Sequence, residues 1–520
     1  MPRFRVVTKH QISGWRFLFR RIEHALVRRD ASMLDDPQRG RSTALSVGVV
    51  LACLLVAGAA VLSFFKPAKQ IGDTHIIAEQ GSGALFVHLG GRLFPALNLT
   101  SARLIVGAAE NPVQVSQDEL AKYPRGPVVG IPGAPGSIVQ PSAKDSSWAV
   151  CDTTKVGAAT PVDQDTGLPT TRISPIRVTV IGSALVGNEA IRPLADGEAR
   201  LLREGSTTWL VYPDHEHGVV RASIDLGDSA VTLALGIDAT APVLPASAGL
   251  VDSILEAPPL RVPDVPGAGQ MTTLSSGESV TVGSVLTVST VDRGAAYYLV
   301  SQSGVVQINS VLAAMIRNAN SRGSVSTMTV DPDVIATNLR PGGWPGTAAY
   351  PAAAVHILDP ERFGTTCYHW ARGSADPNAA TQLLVGRQLP LAVDDQNLAV
   401  PLVTGSGPRG STADAAYLGR DTGRYVRVTG ADPASPLRES LFWISDSGVR
   451  YGIETKIDAK PDGSDDPTLT ALGLHNPILA PWSIVSLFAV GPDLSQKDAR
   501  IQHDGIATDK AAAGLNVGQP

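Results

Sequence analysis

The sequence predicts a single-pass membrane protein with an N-terminal amphipathic helix, one transmembrane helix and a large α+β (β-rich) extracytoplasmic domain of four small repeat modules around a discontinuous core. Three observations support this fold class. Residues 42–65 form an uncharged apolar run, the net charge changes sign across it, and strand–turn–strand patterns recur four times after it. Abundant glycine (51) and proline (38) also favour short strands and turns over long helices.

The apolar run from Ser42 to Phe65 contains no charged residue. At about 1.5 Å rise per residue, a helix of this length reaches roughly 36 Å, which is enough to cross a hydrocarbon layer of about 30 Å. A cleaved signal peptide is the main alternative, but this run is longer than a signal core and 41 residues precede it. We therefore predict a membrane anchor.

The charge distribution predicts the orientation of this anchor. Residues 1–41 carry a net charge of +6 and residues 42–520 carry −11, which together give the −5 of the whole chain. Basic residues are retained on the cytoplasmic side of a membrane span. We therefore expect a protein of the inner (plasma) membrane with a cytoplasmic N-terminus and with the bulk of the chain in the periplasm.

An amphipathic helix is predicted before the span. Trp15, Leu18, Phe19 and Ile22 recur at three- and four-residue steps, and arginines largely fill the opposite face. Such an apolar face either lies on the anionic inner leaflet or docks on the cytoplasmic domain of a partner, and composition does not separate the two. A solvated helix without a partner is the third alternative. These four side chains are the predicted membrane- or partner-docking residues.

Four β-hairpins are predicted after the span, each with two strands joined by a tight turn. Their unequal spacing excludes a regular solenoid or propeller. Residues 310–317 and 469–474 follow the last two hairpins and are predicted to be helical. The hairpins occupy residues 85–95, 208–225, 297–308 and 441–453.

The hairpins divide the exported region into modules and a core. The segments between them hold two cysteines and short alternating strands such as residues 177–181, and they suit one discontinuous core domain. Residues 256–270, with four prolines, are predicted to be an extended linker. The predicted organisation is a basic cytoplasmic tail at 1–41, the transmembrane helix at 42–65, repeat module 1 at 66–119, the first core segment at 120–200, repeat module 2 at 201–255, linker and repeat module 3 at 256–324, the second core segment at 325–430, repeat module 4 at 431–504 and a loose C-terminal tail at 505–520.

The chain has three cysteines. Cys53 lies inside the predicted span, which leaves Cys151 and Cys367 in the exported region. Two thiols in an oxidising compartment most simply pair with each other, so we predict a disulfide between them. Two separate free thiols are the alternative, because the sequence alone does not bring the residues together.

Common catalytic motifs are missing from the sequence. It contains no Gly-Lys dipeptide, and therefore no Walker A lysine, no G-x-S-x-G nucleophile elbow and no H-E-x-x-H. Residues 405–410 match G-x-G-x-x-G, but a proline lies inside the match and no βαβ pattern surrounds it, so we predict a loop. We predict no catalytic, cofactor-binding or metal-binding residues.

Four shorter patterns also favour structure over chemistry. The triplets at 215–217 (His-Glu-His) and 446–448 (Asp-Ser-Gly) fit hairpin turns. The acidic loop from Asp458 to Asp466 lacks the spacing of a calcium-binding EF-hand. The glycosylation sequon at Asn98 is a three-residue pattern that arises by chance.

Longer motifs give the chain a family resemblance. In content and in order they resemble the EccB family of the type VII (ESX) secretion systems of mycobacteria and related actinobacteria. They extend over nearly the whole chain, which makes the resemblance specific. The motifs are QISGWRFL at 11–18, LFPALNLTSARL at 93–104, RGPVVGIPGAP at 125–135, Cys151-Asp152, SGVRYGI at 447–453, APWSI at 480–484 and GPDLS at 491–495.

This resemblance implies a structural core component of a type VII secretion complex in the inner membrane. As partners it implies an EccC-type ATPase, EccD, EccE and the mycosin protease of the same system, together with self-association through the extracytoplasmic domain. It implies no nucleic-acid partner. Members of the family are labelled ATPases, so ATP enters as a cofactor by the family label alone.

Two classes of function are therefore considered. The first is a non-catalytic scaffold whose extracytoplasmic domain assembles the periplasmic section of a secretion channel. The alternative is a membrane-anchored ATPase, a cell-envelope hydrolase or a wall-binding module. The missing Walker A lysine and nucleophile elbow favour the scaffold.

Overall fold

A computed structural model gives the fold of the chain. It describes residues 9–29, 38–64, 71–154, 176–187, 190–290, 294–319, 328–344, 346–403, 412–420, 423–456 and 466–506. The chain divides into two compact units, Met1–Gln70 and Ile71–Pro520. The predicted loop at 405–410, most of the acidic loop and the tail from 507 onwards lie outside the described residues.

The first unit contains two helices among its described residues. Helix α1 spans Lys9–Arg28 and helix α2 spans Gln38–Phe64. The described side chains of α2, from Thr43 to Ala59, are exposed. None of the helices in the described portion of the chain has both the length and the apolar character needed to cross a membrane. The span at 42–65 therefore stays a prediction.

The second unit begins with a compact βββαβα repeat whose plan recurs along the chain. Three antiparallel strands form a meander, a helix follows, a fourth strand pairs in parallel with the first, and a second helix leads to a segment that pairs in parallel with the third. In repeat 1 (76–125) the elements are β1 Ile76–Glu79, β2 Leu85–Leu89, β3 Arg92–Pro95, α3 Leu99–Val106, β4 Val113–Val115 and α4 Gln117–Leu120. A short strand, β5, follows at Val128–Val129.

Repeat 2 (198–260) follows the first strands of a central sheet. Those strands are β6 Ser146–Thr153, β7 Arg177–Ile181 and β8 Ile191–Pro193. The elements of repeat 2 are β9 Glu198–Glu204, β10 Thr207–Asp214, β11 Gly218–Ile224, α5 Ser229–Leu235, β12 Leu244–Pro245, α6 Ala248–Ser253 and β13 Leu255–Leu260. Strand β13 pairs in parallel with β11, so the linker predicted at 256–270 is wrong over its first five residues.

Repeat 3 (285–339) has the same strand order as repeats 1 and 2. A small hairpin precedes it, formed by β14 Met271–Thr273 and β15 Ser279–Thr281. The elements of repeat 3 are β16 Val285–Thr290, β17 Gly294–Ser301, β18 Gly304–Ile308, α7 Ser310–Ala319, β19 Met328–Thr329 and α8 Pro332–Asn338. Leu339 then bridges in parallel to Val305, which closes the repeat. Strand β20 (His356–Ile357) pairs with β9 of repeat 2.

Repeat 4 (423–490) completes the set after the remaining strands of the central sheet. Those strands are β21 Thr365–Arg372, β22 Ala380–Gly386, β23 Val400–Pro401 and β24 Ala415–Tyr417. The elements of repeat 4 are β25 Gly423–Thr429, β26 Leu441–Ser445, β27 Val449–Ile453, α9 Pro467–Leu472, β28 Ile478–Pro481, α10 Trp482–Val485 and β29 Ala489–Val490. The chain continues through α11 Gln496–Ala499 to β30 Gln502–His503, which pairs with β5. All four hairpins predicted from the sequence are present, as β2–β3, β10–β11, β17–β18 and β26–β27.

Helix capping explains why the first helix of every repeat begins where it does. Each starts after an Asn or Asp whose side chain accepts a hydrogen bond from a backbone N–H two or three residues on, which satisfies an otherwise unpaired donor. In repeats 1, 2 and 4 the helix then ends at a glycine in the left-handed conformation. The capping residues are Asn98, Asp228, Asn309 and Asp466.

The central sheet joins strands from two distant regions of the chain. Its order is β23-β24-β7-β6-β21-β22-β8. Strands β6, β7 and β8 follow repeat 1 and strands β21 to β24 follow repeat 3, so strands from the two regions alternate in one sheet. Cys151 lies directly opposite Cys367 in the antiparallel pair β6–β21, and the two form a disulfide. The predicted disulfide is thus present, and both cysteines are fully buried.

The repeats pack in two pairs. Repeats 1 and 4 share an apolar cluster that includes Leu104 of α3 and Leu472 of α9. Repeats 2 and 3 share another, in which Val231 of α5 packs with Met315 of α7. Each pairing enlarges the apolar core that its two repeats share, and domains of only about 60 residues are marginally stable.

Repeats 2 and 4 also pack on the central sheet. Their second helices, α6 and α10, contribute Leu250 and Ile484 to the cluster that contains Trp148 and Trp370 of β6 and β21. The indole Nε1 of Trp148 donates a hydrogen bond to the carbonyl oxygen of Leu479, at 2.9 Å, and so joins β6 to β28. One face of the sheet is therefore covered by two repeats, and the disulfide lies on the opposite face with Ala149 and its neighbours.

The hairpin turns of repeats 2 and 4 dock near the two ends of the sheet. At the β10–β11 turn, Thr381 of β22 donates its hydroxyl to the carbonyl oxygen of His217 (2.6 Å) and accepts from the N–H of Val219 (3.2 Å). At the β26–β27 turn, Gly448 adopts a φ of +78° and lies against Leu402 and Ala416 at the β24 side. The two turns that the sequence predicts at 215–217 and 446–448 are thus contacts between repeat and core.

A buried carboxylate fixes repeat 2 to the central sheet. Asp152, next to the disulfide, accepts hydrogen bonds from the N–H (2.6 Å) and the hydroxyl (2.7 Å) of Ser247, the residue that caps α6. Burial raises the pKa of Asp152 to about 6, and the charge of Asp414 acts in the same direction, although the two hydrogen bonds oppose the shift. Keeping Asp152 ionised in the folded protein therefore costs stability.

The Gly448 contact predicts a measurable asymmetry between two equivalent turns. An alanine Cβ at 448 would lie 2.6 Å from Cβ of Ala416 and 2.8 Å from Cδ2 of Leu402, whereas a Cβ at Gly91 (φ +71°) would meet no atom within 4 Å. Both substitutions carry the same left-handed strain. Gly448→Ala should therefore destabilise the protein by about 1–3 kcal/mol more than Gly91→Ala, through overpacking. Thermal unfolding of both variants checks this, and equal losses would contradict the docking role of the turn.

The raised pKa of Asp152 predicts a pH dependence of stability. Between the unfolded pKa near 4 and the folded pKa of about 6, the native state binds more protons than the unfolded state. The free energy of unfolding therefore falls as the pH rises from about 4 to 6, by on the order of 2–3 kcal/mol from this group. Asp152→Asn should remove that fall, and Glu278→Gln, at an exposed position, should not. Unfolding midpoints at pH 4.5 and 6.5 measure it; parallel profiles for the wild type and Asp152→Asn would count against the assignment.

Candidate interaction surfaces

The apolar face predicted on α1 is exposed in the structure. Trp15, Leu18, Phe19 and Ile22 are between 53% and 63% exposed. The ring centroids of Trp15 and Phe19 lie 5.2 Å apart, so one turn of the helix presents a continuous aromatic surface. Large apolar residues that cluster on one face mark a contact with a protein or a membrane, whereas scattered ones need no explanation.

A second surface is a groove between repeats 2 and 4. Its volume is about 830 Å³, and it lies between the second helices of the two repeats. Arg450 and Trp482 form one wall, and the carboxylates of Asp252 and Glu439 contribute polar groups to the lining. Trp482 is 44% exposed. Residues of these types, arginine and tryptophan around an apolar depression, are enriched at protein–protein interfaces.

Arg450 holds the aromatic wall of this groove in place. Its guanidinium carbon lies 5.0 Å from the ring centroid of Trp482 and 5.9 Å from that of Phe442, and the two rings are 5.8 Å apart. Its Nε donates to the carbonyl oxygen of Phe488 at 3.3 Å. Burial lowers the pKa of Arg450, yet the guanidinium stays charged at neutral pH. The stacking thereby fixes the exposed tryptophan at the mouth of the groove.

A serine–histidine pair in the central sheet resembles part of a catalytic arrangement. Ser147 Oγ lies 3.1 Å from Nε2 of His369, and the side-chain amide of Gln382 lies 2.9 Å from Nδ1. Burial lowers the pKa of His369 to about 4. A general base works best with a pKa near the operating pH, so this imidazole is a poor base. The three side chains satisfy one another's hydrogen bonds across neighbouring strands.

The other patterns singled out in the sequence have structural roles. Asn98 is the buried N-cap of α3 and also donates its amide to the carbonyl oxygen of Ile131 (3.0 Å). His217 lies 3.0 Å from Asp214, its neighbour in the β10–β11 turn. Ser447 bonds to Ser445 within the β26–β27 turn. Within the described ranges, no three His, Cys, Asp or Glu side chains group as a metal site would require.

Sequence reasoning identified the α1 face but missed the groove. The α1 face repeats every three or four residues, which is a local signal. The groove combines Asp252 with Arg450 and Trp482, residues that are far apart in the sequence. Arg450 and Trp482 do fall within two of the motifs that carry the family resemblance, at 447–453 and 480–484. Those motifs were the sequence signal from which the groove residues could have been found.

Known proteins resemble this chain over its full length. The family model for the type VII secretion system ESX-1, transport TM domain B, matches residues 4–508. The ESX-3 secretion system ATPase EccB3 of Mycolicibacterium smegmatis is 38% identical over 98% of this chain and 93% of its own length. The ESX-1 secretion system ATPase EccB1 of Mycobacterium tuberculosis is 34% identical over 99% of this chain and 98% of its own.

Solved structures give the same result. A chain of an intact ESX-5 inner membrane complex superposes with a TM-score of 0.73 at 33% identity, covering 99% of both chains. A chain of the EccB3 dimer from the ESX-3 core complex superposes with a TM-score of 0.69 at 36% identity, covering 82% of this chain and all of that one. The agreement of the family model, the relatives and the fold shows that this chain belongs to the EccB family of type VII secretion systems.

Proposed function

We propose that this chain is a non-catalytic structural component of an inner-membrane type VII (ESX) secretion complex, with its large α+β unit assembling the periplasmic section of the channel. One observation carries the proposal: the chain matches a component of an intact ESX-5 inner membrane complex over 99% of both chains. A structure of the periplasmic assembly from the same ESX-5 complex adds support, at 34% identity and a TM-score of 0.69.

The proposed topology is a single pass with the N-terminus in the cytoplasm. The uncharged run at 42–65 and the change in net charge across it support this orientation. The disulfide between Cys151 and Cys367 suits an oxidising compartment for the second unit. Helix α2, Gln38–Phe64, would then be the anchor.

Self-association through the second unit belongs to the same proposal. The related EccB3 was solved as a dimer, and the groove between repeats 2 and 4 has the composition of an interface. An EccC-type ATPase, EccD, EccE and the mycosin protease are the further partners that family membership suggests. Helix α1 is the segment that we assign to the cytoplasmic contacts, since its apolar face is exposed.

An ATPase function finds no support in the residues of this chain. Relatives carry the word ATPase in their names, but the sequence lacks a Walker A lysine. Across the residues that the structure describes, the polar groups that sequence analysis singled out cap helices, close turns or join strands. We therefore assign the hydrolysis of ATP to another component of the complex.

Docking of α1 predicts that the apolar face matters more than the charge. Burial of Trp15 and Leu18 removes surface worth on the order of 2–3 kcal/mol each, whereas an exposed arginine contributes under about 1 kcal/mol. Trp15→Ala with Leu18→Ala should release the motor or EccD-like subunits from the complex, and Arg20→Gln with Arg21→Gln should not. Blue-native gels after mild detergent extraction compare the two double variants.

An intact complex in the Trp15/Leu18 variant would remove the support for docking. If the helix instead rests on anionic lipid, the arginine substitutions should weaken attachment as well, at about 1 kcal/mol per basic residue. Expression of the chain and the melting temperature of the second unit within the full chain serve as the control, since neither pair of substitutions lies in that unit.

The topology predicts the activity of fused reporters. A reporter that works only in the cytoplasm should be silent when fused after Pro520 and active when fused before Met1. Lys66→Glu with Lys69→Glu should leave this unchanged, because those changes only increase the charge asymmetry. Cytoplasmic activity of the C-terminal fusion would contradict the proposed orientation.

A further inference from the structure

A pocket at the junction of three chain segments is lined by the cationic side chains of Lys144 and Arg372, and the carboxylates beside it, of Asp145 and Asp376, accept hydrogen bonds from the backbone of its wall. Its volume is about 520 Å³, and it lies between residues 140–146, the 372–374 turn after β21 and residues 475–479, which lead into β28. It is separate from the groove between repeats 2 and 4. Its polar side chains include Ser142, Lys144, Arg372, Ser374, His475 and Asn476.

Hydrogen bonds hold the three walls of the pocket together. The side-chain oxygen of Gln140 accepts from the N–H of His475 at 2.9 Å, and Ser146 Oγ accepts from the N–H of Leu479 at 3.1 Å. The carboxylate of Asp145 accepts from the N–H of Ser374 at 2.8 Å. The pocket is therefore preformed, which lowers the cost of ordering it around a ligand.

The cationic side chains of the pocket keep donors available. Arg372 donates its Nε to the carbonyl oxygen of Asp376 at 3.0 Å, while its two terminal nitrogens make no hydrogen bond with described residues. Lys144 is exposed, and none of the ion pairs within the described ranges of the chain involves it. A guanidinium with a free terminal fork suits bidentate binding of an oxyanion.

Arg438 does not line the pocket but lies within range of the charge of Arg372. The pKa of Arg438 is lowered by burial and also by the charges of Arg372 and Arg427. The buried Nε of Arg427 has no hydrogen-bond partner among the described residues. Arg438 donates to the carbonyl oxygens of Ser435 (3.1 Å) and Leu437 (2.6 Å), which are neutral groups. These contacts hold the guanidinium of Arg438 in place, and neither acceptor carries a negative charge that would neutralise it.

We propose that this pocket binds a phosphate ester of about the size of a sugar phosphate. Arg372 and Lys144 supply charge-assisted hydrogen bonds to phosphate oxygens, and the hydroxyl and amide groups of Ser142, Ser374 and Asn476 suit the hydroxyls of the ester's polar portion. The volume exceeds what inorganic phosphate needs and lies within the range of about 300–1,000 Å³ found for small-molecule sites. A soluble sugar phosphate and a phospholipid headgroup present the same chemistry.

Calorimetric titration of the full chain in detergent with glucose 6-phosphate tests the proposal, with glucose as the uncharged comparison. We expect saturable binding of the phosphate ester and at least tenfold weaker binding of glucose. Lys144→Gln with Arg372→Gln should weaken binding about tenfold or more, because both charge-assisted contacts are lost. The matched control removes two arginines, Arg177 and Arg387, that line a separate pocket of about 290 Å³. Arg177→Gln with Arg387→Gln should leave the affinity within twofold.

A second titration separates the two sources of the ester. Phosphatidylglycerol in mixed micelles, against phosphatidylcholine, should bind in a Lys144- and Arg372-dependent manner if the site takes a headgroup, and glucose 6-phosphate alone should bind if it takes a soluble ester. If the double variant fails to fold, Lys144→Gln alone, at an exposed position, should still weaken binding severalfold. Equal affinity for glucose, no saturable binding of either phosphate compound, or equal weakening in the Arg177/Arg387 variant would overturn the proposal.

Discussion

The pairing of β6 with β21 is the constraint on which the second unit depends. The two strands are joined in register over eight residue pairs, and their cysteines are 216 residues apart in the sequence. Closing so long a loop costs chain entropy, and a disulfide across it contributes roughly 5 kcal/mol in the chain-entropy model. The strand pair also brings Trp148 opposite Trp370 on the face that the repeats cover. Repeats 2 and 4 pack on the sheet at whose centre this pair lies, and repeats 1 and 3 pack on repeats 4 and 2.

This strand pairing places repeats 2 and 3 between the two halves of the central sheet in the sequence, with repeats 1 and 4 before and after it. Repeats 2 and 3 form one insertion between the two halves of the central sheet, so they emerge together and pack on each other through α5 and α7. Along the sequence, repeat 1 precedes the first strand of the sheet and repeat 4 follows the last one, and these two repeats pack on each other through α3 and α9. The short strand β5 then pairs with β30, near the other end of the unit. The same small fold is used four times, and its place in the chain decides its neighbour.

Local sequence signals predicted the elements of this fold that local forces determine. The four hairpins depend on two adjacent strands and a turn, so they can be recognised within about ten residues. Of the four first helices, those of repeats 3 and 4 were predicted, and α3 and α5 were not. Helix α7 lies over the predicted 310–317, and α9, Pro467–Leu472, overlaps the predicted 469–474. The α1 face was predicted for the same reason, because its period is that of a helix.

Non-local pairings were missed because nothing nearby in the sequence specifies them. The fourth strand of each repeat is two to four residues long and pairs in parallel across a helix, so it shows no period of its own. Strand β13 contains Pro258 and Pro259 and was predicted to be linker; it lies at the edge of its sheet, where proline is tolerated because one side of the strand makes no ladder bonds. The groove and the cationic pocket were missed for the same reason, since each combines segments far apart in the chain.

The way in which the second unit uses its polar residues bears on its function. An active site keeps reactive groups accessible to a substrate. Here the polar groups next to the disulfide are buried and hydrogen-bonded to their neighbours, although burial raises the pKa of Asp152 to about 6. Asp152 retains its hydrogen bonds to Ser247 despite the cost of burial, and His369 is held neutral between Ser147 and Gln382.

These groups join the strands of the sheet to one another and to helix α6, and the recognition features lie on the outside of this frame. At the groove between repeats 2 and 4, the charge of Arg450 interacts with two aromatic rings and with one backbone carbonyl. Such an arrangement fixes an exposed tryptophan at low entropic cost, which is what a binding surface requires and what catalysis by acid, base or nucleophile does not. The packed central sheet therefore keeps the recognition surfaces of the second unit in fixed positions, which is what a structural component of an assembly requires.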